Sequence, residues 1–67
     1  MKITKDMLIG EAVQQGNTDA IARVLLGMGM HCLGCAIAHG ETIEQAAQVH
    51  GVDVDDLVDK LNEAAAE

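Results

Sequence analysis

Val54, Leu57, Val58, Leu61, Ala64 and Ala65 recur at the three- and four-residue spacing that places side chains on one face of an α-helix. Such a face has to be buried, and the rest of the chain offers more of the same kind. Ile21, Val24, Leu25 and Met28 form a second stripe; Ile43, Ala46, Ala47 and His50 form a third; Ile9, Ala12 and Val13 share the face of a shorter one. No stretch alternates as a half-buried strand would, and the chain contains no proline. The expected fold is therefore all-α: a small compact bundle of four or five short helices in a single domain over residues 1–67.

Local signals set the helix limits. Ile3 to Leu8 reads as an extended lead-in that packs Ile3 on the body, followed by a helix over residues 8–15 with Gly16 as its C-terminal cap. Asn17 or Thr18 caps the second helix, with Asp19 in its first turn, and Gly27 and Gly29 break it. Ala36 to His39 extends a short helix that begins near Cys32 or Leu33 and ends at Gly40. Thr42 and Gln45 have the spacing of a capping box, and Gly51 stops the helix they start. Asp53 caps the last helix, where Asp55 and Asp56 suit the positive end of the dipole; the tail Ala64–Glu67 is expected to fray. These caps account for the aspartates better than a calcium loop does, because the glycine and terminal glutamate of an EF-hand are missing. No internal repeat or linker is visible.

Composition narrows the function. None of the 67 residues is aromatic, so the core must be aliphatic. A core of that kind is light, and pairing into a homodimer would help to stabilise it. Eleven acids against four basic residues give a net charge of −7, a sign that repels nucleic acid and anionic membranes. The segment from Thr42 to Glu63 resembles a helix-turn-helix only in outline, since its second helix is acidic. No run is apolar and long enough for a signal peptide or a bilayer span, so the expected compartment is the cytoplasm. The absence of serine excludes a serine nucleophile, and no phosphate loop or dinucleotide fingerprint is present.

What chemistry the chain carries is concentrated in Gly29-Met30-His31-Cys32-Leu33-Gly34-Cys35. A C-x-x-C pair can cycle between dithiol and disulfide, bind a soft metal, or sit in a core as two small hydrophobes. In a helical turn the two Cα atoms would lie roughly 5–5.5 Å apart, a separation that a disulfide tolerates. Cys32, nearer the expected helix start, is the candidate attacking thiolate and Cys35 the resolving thiol. His31 is the third candidate site residue, since a protonated imidazole beside Cys32 would lower that thiol's pKa. The alternative is a zinc, iron or iron–sulfur site on Cys32 and Cys35, with His31, His39 or His50 as further ligands and a dimer supplying four thiolates. Ala36 stands where c-type haem attachment needs histidine. An interaction domain with inert cysteines is the third reading.

The motif and its flanks together carry a resemblance. The heptad above, Gly40-Glu41-Thr42-Ile43-Glu44-Gln45-Ala46-Ala47, His50-Gly51-Val52-Asp53-Val54-Asp55-Asp56-Leu57 and the opening Ile3-Thr4-Lys5-Asp6-Met7 resemble the hybrid-cluster-protein-associated redox disulfide domain. That small family is otherwise labelled a domain of unknown function. The resemblance implies a compact helical domain, a redox-active pair at Cys32 and Cys35, and association with a protein partner of the iron–sulfur, hybrid-cluster type; no resident cofactor is expected on the redox reading. Where the family often carries proline, this chain has Ala36 and Gly16-Asn17. The function expected on these grounds is a thiol–disulfide exchange module rather than an autonomous enzyme.

Overall fold

A computed structural model describes residues 3–29 and 40–67. Those residues form four helices and no strand: α1 (Ile9–Ala12), α2 (Thr18–Gly27), α3 (Ile43–His50) and α4 (Val54–Ala65). The fold is all-α, as the spacing of the apolar residues requires. The most amphipathic segment, α4, is the hub, packing against both α2 and α3.

The core is entirely aliphatic. Ile3, Ile9, Ile21, Leu25, Ile43 and Leu61 are fully buried, and Ala12, Ala20, Ala46, Ala47 and Ala64 fill the seams between them. Alanine at the seams lets helices without aromatic residues approach closely enough to exclude water. Val24, Met28, Val54 and Val58 sit at the margin, partly buried against this cluster. No polar or charged residue is buried among the described residues.

The helix starts follow the capping chemistry. Asn17 Oδ1 accepts the Ala20 N–H at 3.1 Å, and Asp53 Oδ1 accepts those of Asp55 and Asp56 at 2.9 and 3.2 Å. The capping box of α3 is complete. Thr42 Oγ1 accepts the Gln45 N–H at 3.1 Å, and Gln45 Oε1 accepts the Thr42 N–H at 3.0 Å. At its other end, Gly51 takes the left-handed conformation (φ 68°) that closes the helix.

Several expectations need correction. Residues 4–7 make a turn, with the Met7 N–H donating to the Thr4 carbonyl at 3.2 Å, instead of an extended lead-in. Ile3 is nevertheless buried, as expected. The first helix spans only Ile9–Ala12, because the N–H groups of Gln14 and Gln15 reach back three residues, to Glu11 and Ala12, in tighter turns. Gly16 is not a left-handed cap. It is glycine because a Cβ there would stand 2.3 Å from the Ala65 carbonyl oxygen. The first half of the tail is tied down, since Ala64 is buried and the Ala65 carbonyl accepts the Asn17 N–H at 3.3 Å, while Ala66 and Glu67 are exposed beyond the helix.

The structure also reveals an internal likeness that the sequence hides. The starts of α1 and α3 face each other across an antiparallel bridge between Leu8 and Thr42. The Ile9 N–H donates to the Glu41 carbonyl at 2.8 Å, and the Ile43 N–H to the Met7 carbonyl at 2.9 Å. In α1, Glu11 Oε1 accepts the Leu8 N–H at 3.3 Å, the role that Gln45 plays for Thr42. Each short helix then leads into a longer capped one with buried residues at matching positions, Ile21 and Leu25 in α2 and Leu57 and Leu61 in α4.

Candidate functional site

The cysteine segment leaves the described fold at the end of α2 and rejoins it ahead of α3. After Gly27, Met28 is the helix cap, and the Gly29 N–H donates to the Leu26 carbonyl at 3.1 Å. Gly29 has φ +108°, a conformation that residues with a side chain rarely adopt. The backbone resumes at Gly40, also at positive φ (+68°), two residues before the Thr42 cap. Cys32, Cys35, His31 and His39 lie between these two glycines, outside the described residues.

His50 is described, and the fold brings it to the first of these two glycines. It is the last residue of α3 and half-buried, and a Cβ added to Gly29 would lie 3.5 Å from its Nδ1. A histidine nitrogen therefore stands over the point where the chain departs toward the cysteines. Its helical spacing in the sequence placed His50 on the inner face of α3, whereas its meeting with Gly29 follows from how the ends of α2 and α3 converge. Among the described residues, no group of three His, Cys, Asp or Glu side chains converges as a metal site would require. None of their helices is long and apolar enough to cross a membrane.

Beside this point, a cleft of about 470 Å³ lies between α2 and the start of α4, with Met28 among its lining residues. Val24, Met28, Val52 and Leu57 are its apolar lining, and Arg23 and Lys60 border it together with Asp53 and Asp56. Sequence reasoning did not single out this pairing, since each cation taken alone reads as an ordinary exposed helix residue.

Residues 3–58 match the family described as Domain of unknown function (DUF1858). The chain belongs to that family. The DUF1858 match takes in the lead-in at Ile3, the whole C-x-x-C segment and the bridge between Leu8 and Thr42, and it ends within α4. No curated protein and no solved structure matches the chain.

Proposed function

We propose that this DUF1858 chain is a small thiol–disulfide module of the cytoplasm, acting on a protein partner of the iron–sulfur, hybrid-cluster type. The observation that carries the reading is the C-x-x-C spacing of Cys32 and Cys35, set in a chain with no other nucleophile pattern. The Cys32 thiolate attacks one sulfur of the partner's disulfide, forms a mixed disulfide and displaces the other partner sulfur as thiolate. Cys35 then attacks the Cys32 sulfur, closing the Cys32–Cys35 disulfide and releasing the partner's second thiolate. Two electrons pass from module to partner, and the reverse sequence oxidises the partner. His31, when protonated, favours the thiolate of Cys32. A short aliphatic bundle suits this work, because exchange needs an accessible pair and not a deep cavity.

The test is trapping. With Cys35→Ser, the mixed disulfide on Cys32 should accumulate on non-reducing gels, and Cys32→Ser should abolish it. Trapping by Cys32→Ser alone would reverse the two roles, and trapping by neither would end the reading.

One observation favours a second reading. His50 stands against Gly29, three residues before Cys32, so that Cys32, Cys35 and His50 make a chemically reasonable partial ligand set for zinc or iron. Native mass spectrometry after purification without oxygen separates the two. A loss of two hydrogens on mild oxidation, reversed by a thiol reductant, supports the disulfide; a bound metal or cluster supports the ligand set.

A further inference from the structure

We infer that the chain is built as a two-fold pair of helical halves, residues 3–29 and 40–67, and that the C-x-x-C segment between them is a tether the fold does not need; that this segment performs exchange rests on the redox reading above. The first argument is a correspondence of contacts. One step along the chain takes Met7 to Glu41, Ile9 to Ile43 and Gly16 to His50. A step two residues longer takes Asn17 to Asp53, Ile21 to Leu57, Leu25 to Leu61 and Gly29 to Ala65. Exchanging the halves turns the bond from the Ile9 N–H to the Glu41 carbonyl into the bond from the Ile43 N–H to the Met7 carbonyl. It also turns the close approach of Gly16 to Ala65 into that of His50 to Gly29. Two separate pairs of contacts therefore obey one exchange rule, as contacts across a two-fold axis do.

A second argument is what holds the halves together. Ile9, Ile21 and Leu25 of the first share one buried cluster with Ile43, Leu57 and Leu61 of the second. The two longest helices, α2 and α4, belong to different halves and pack on each other. Four backbone hydrogen bonds cross between the halves, from Ile9 to Glu41, Ile43 to Met7, Glu44 to Lys5 and Asn17 to Ala65. The two between Asn62 and Ile3 cross as well. The C-x-x-C segment joins the end of one half to the start of the other, so a cut in it breaks none of these bonds. What a cut removes is proximity. A short tether holds its ends at an effective concentration of mM order, so at about 100 µM protein its loss weakens pairing only about tenfold. Cys32 and Cys35 can thus open, close or cross-link to a partner without unpacking the core.

The test is a cut in the full chain. A protease recognition sequence inserted between Ala36 and Ile37 leaves both cysteines on the first fragment, so under reductant no covalent bond joins the halves after cleavage. At about 100 µM the cleaved protein should give one complex of both fragments by native mass spectrometry and a cooperative melt by circular dichroism. The midpoint of that melt should rise with protein concentration, whereas that of the uncut variant should not. The same sequence inserted between Gly51 and Val52 severs α3 from α4 inside one half, where the Val52 N–H donates to the Ala47 carbonyl, and cleavage there should abolish the transition. Fragments that separate, an uncut Ala36–Ile37 variant with no transition, or equal tolerance of the two cuts overturns the inference. The readout uses no thiol chemistry. Pairing of the cut halves without mixed-disulfide trapping removes the redox reading and leaves the two-fold scaffold; trapping by a chain that falls apart on cutting removes the scaffold.

Discussion

Asn62 does the work of a strand partner with a single side chain. Its Oδ1 accepts the Ile3 N–H at 2.6 Å, and its Nδ2 donates to the carbonyls of Ile3 and Val58, each at 3.0 Å. Ile3 is nearly fully buried, so its backbone groups would otherwise lose water without replacement. Asn62→Ala should therefore cost about 1–3 kcal/mol, read as a lower urea midpoint with little change in slope. Nothing in the sequence marks this residue. An asparagine beside a helix's apolar stripe reads as solvent-facing, and its partner lies 59 positions away. Gly16 was legible as a break, but its reason, the Ala65 carbonyl 2.3 Å from where a Cβ would sit, belongs to tertiary structure. The C-x-x-C pair was legible because spacing along the chain is the signal; the place of His50 over Gly29 was not, because it depends on the convergence of two helix ends.

At the scale of elements, the start of α3 has all four of its free N–H groups satisfied. Side chains serve two of them, the Thr42 and Gln45 amides, and carbonyls of the lead-in serve the others: Ile43 N–H donates to Met7 and Glu44 N–H to Lys5, at 2.9 and 3.0 Å. Thr42→Ala removes one side-chain acceptor and should destabilise the domain by about 1 kcal/mol, measured by thermal or urea unfolding. A loss of several kcal/mol would mean that the bridge to Leu8 fails with it. The capping box and stripe of α3 were readable in full. Its likeness to α1 was not, because the correspondence lies in hydrogen-bond roles. Ile9, Glu11 and Ala12 match Ile43, Gln45 and Ala46, but Leu8 stands where Thr42 does and carries no side-chain cap. A pattern of roles leaves little trace in residue identity.

For the whole molecule, residues 3–7 are as much a part of the fold as any helix. They contribute the buried Ile3, two of the three backbone groups that Asn62 binds, and the two carbonyls that finish α3. Burial of one isoleucine is worth about 2–5 kcal/mol against alanine, and a domain of this size has a total stability of only about 3–10 kcal/mol. Deleting residues 1–7 should abolish the cooperative thermal transition seen by circular dichroism. A transition that survives within a few degrees would show the lead-in to be an accessory. The aliphatic stripes made the bundle legible, while the lead-in's polar and turn-forming residues concealed that it closes the structure.

The clasp between Ile3 and Asn62 has an architectural consequence. It holds the incoming and outgoing ends of the bundle side by side, so the unit can be spliced into an exposed loop of a larger protein without prying that host apart.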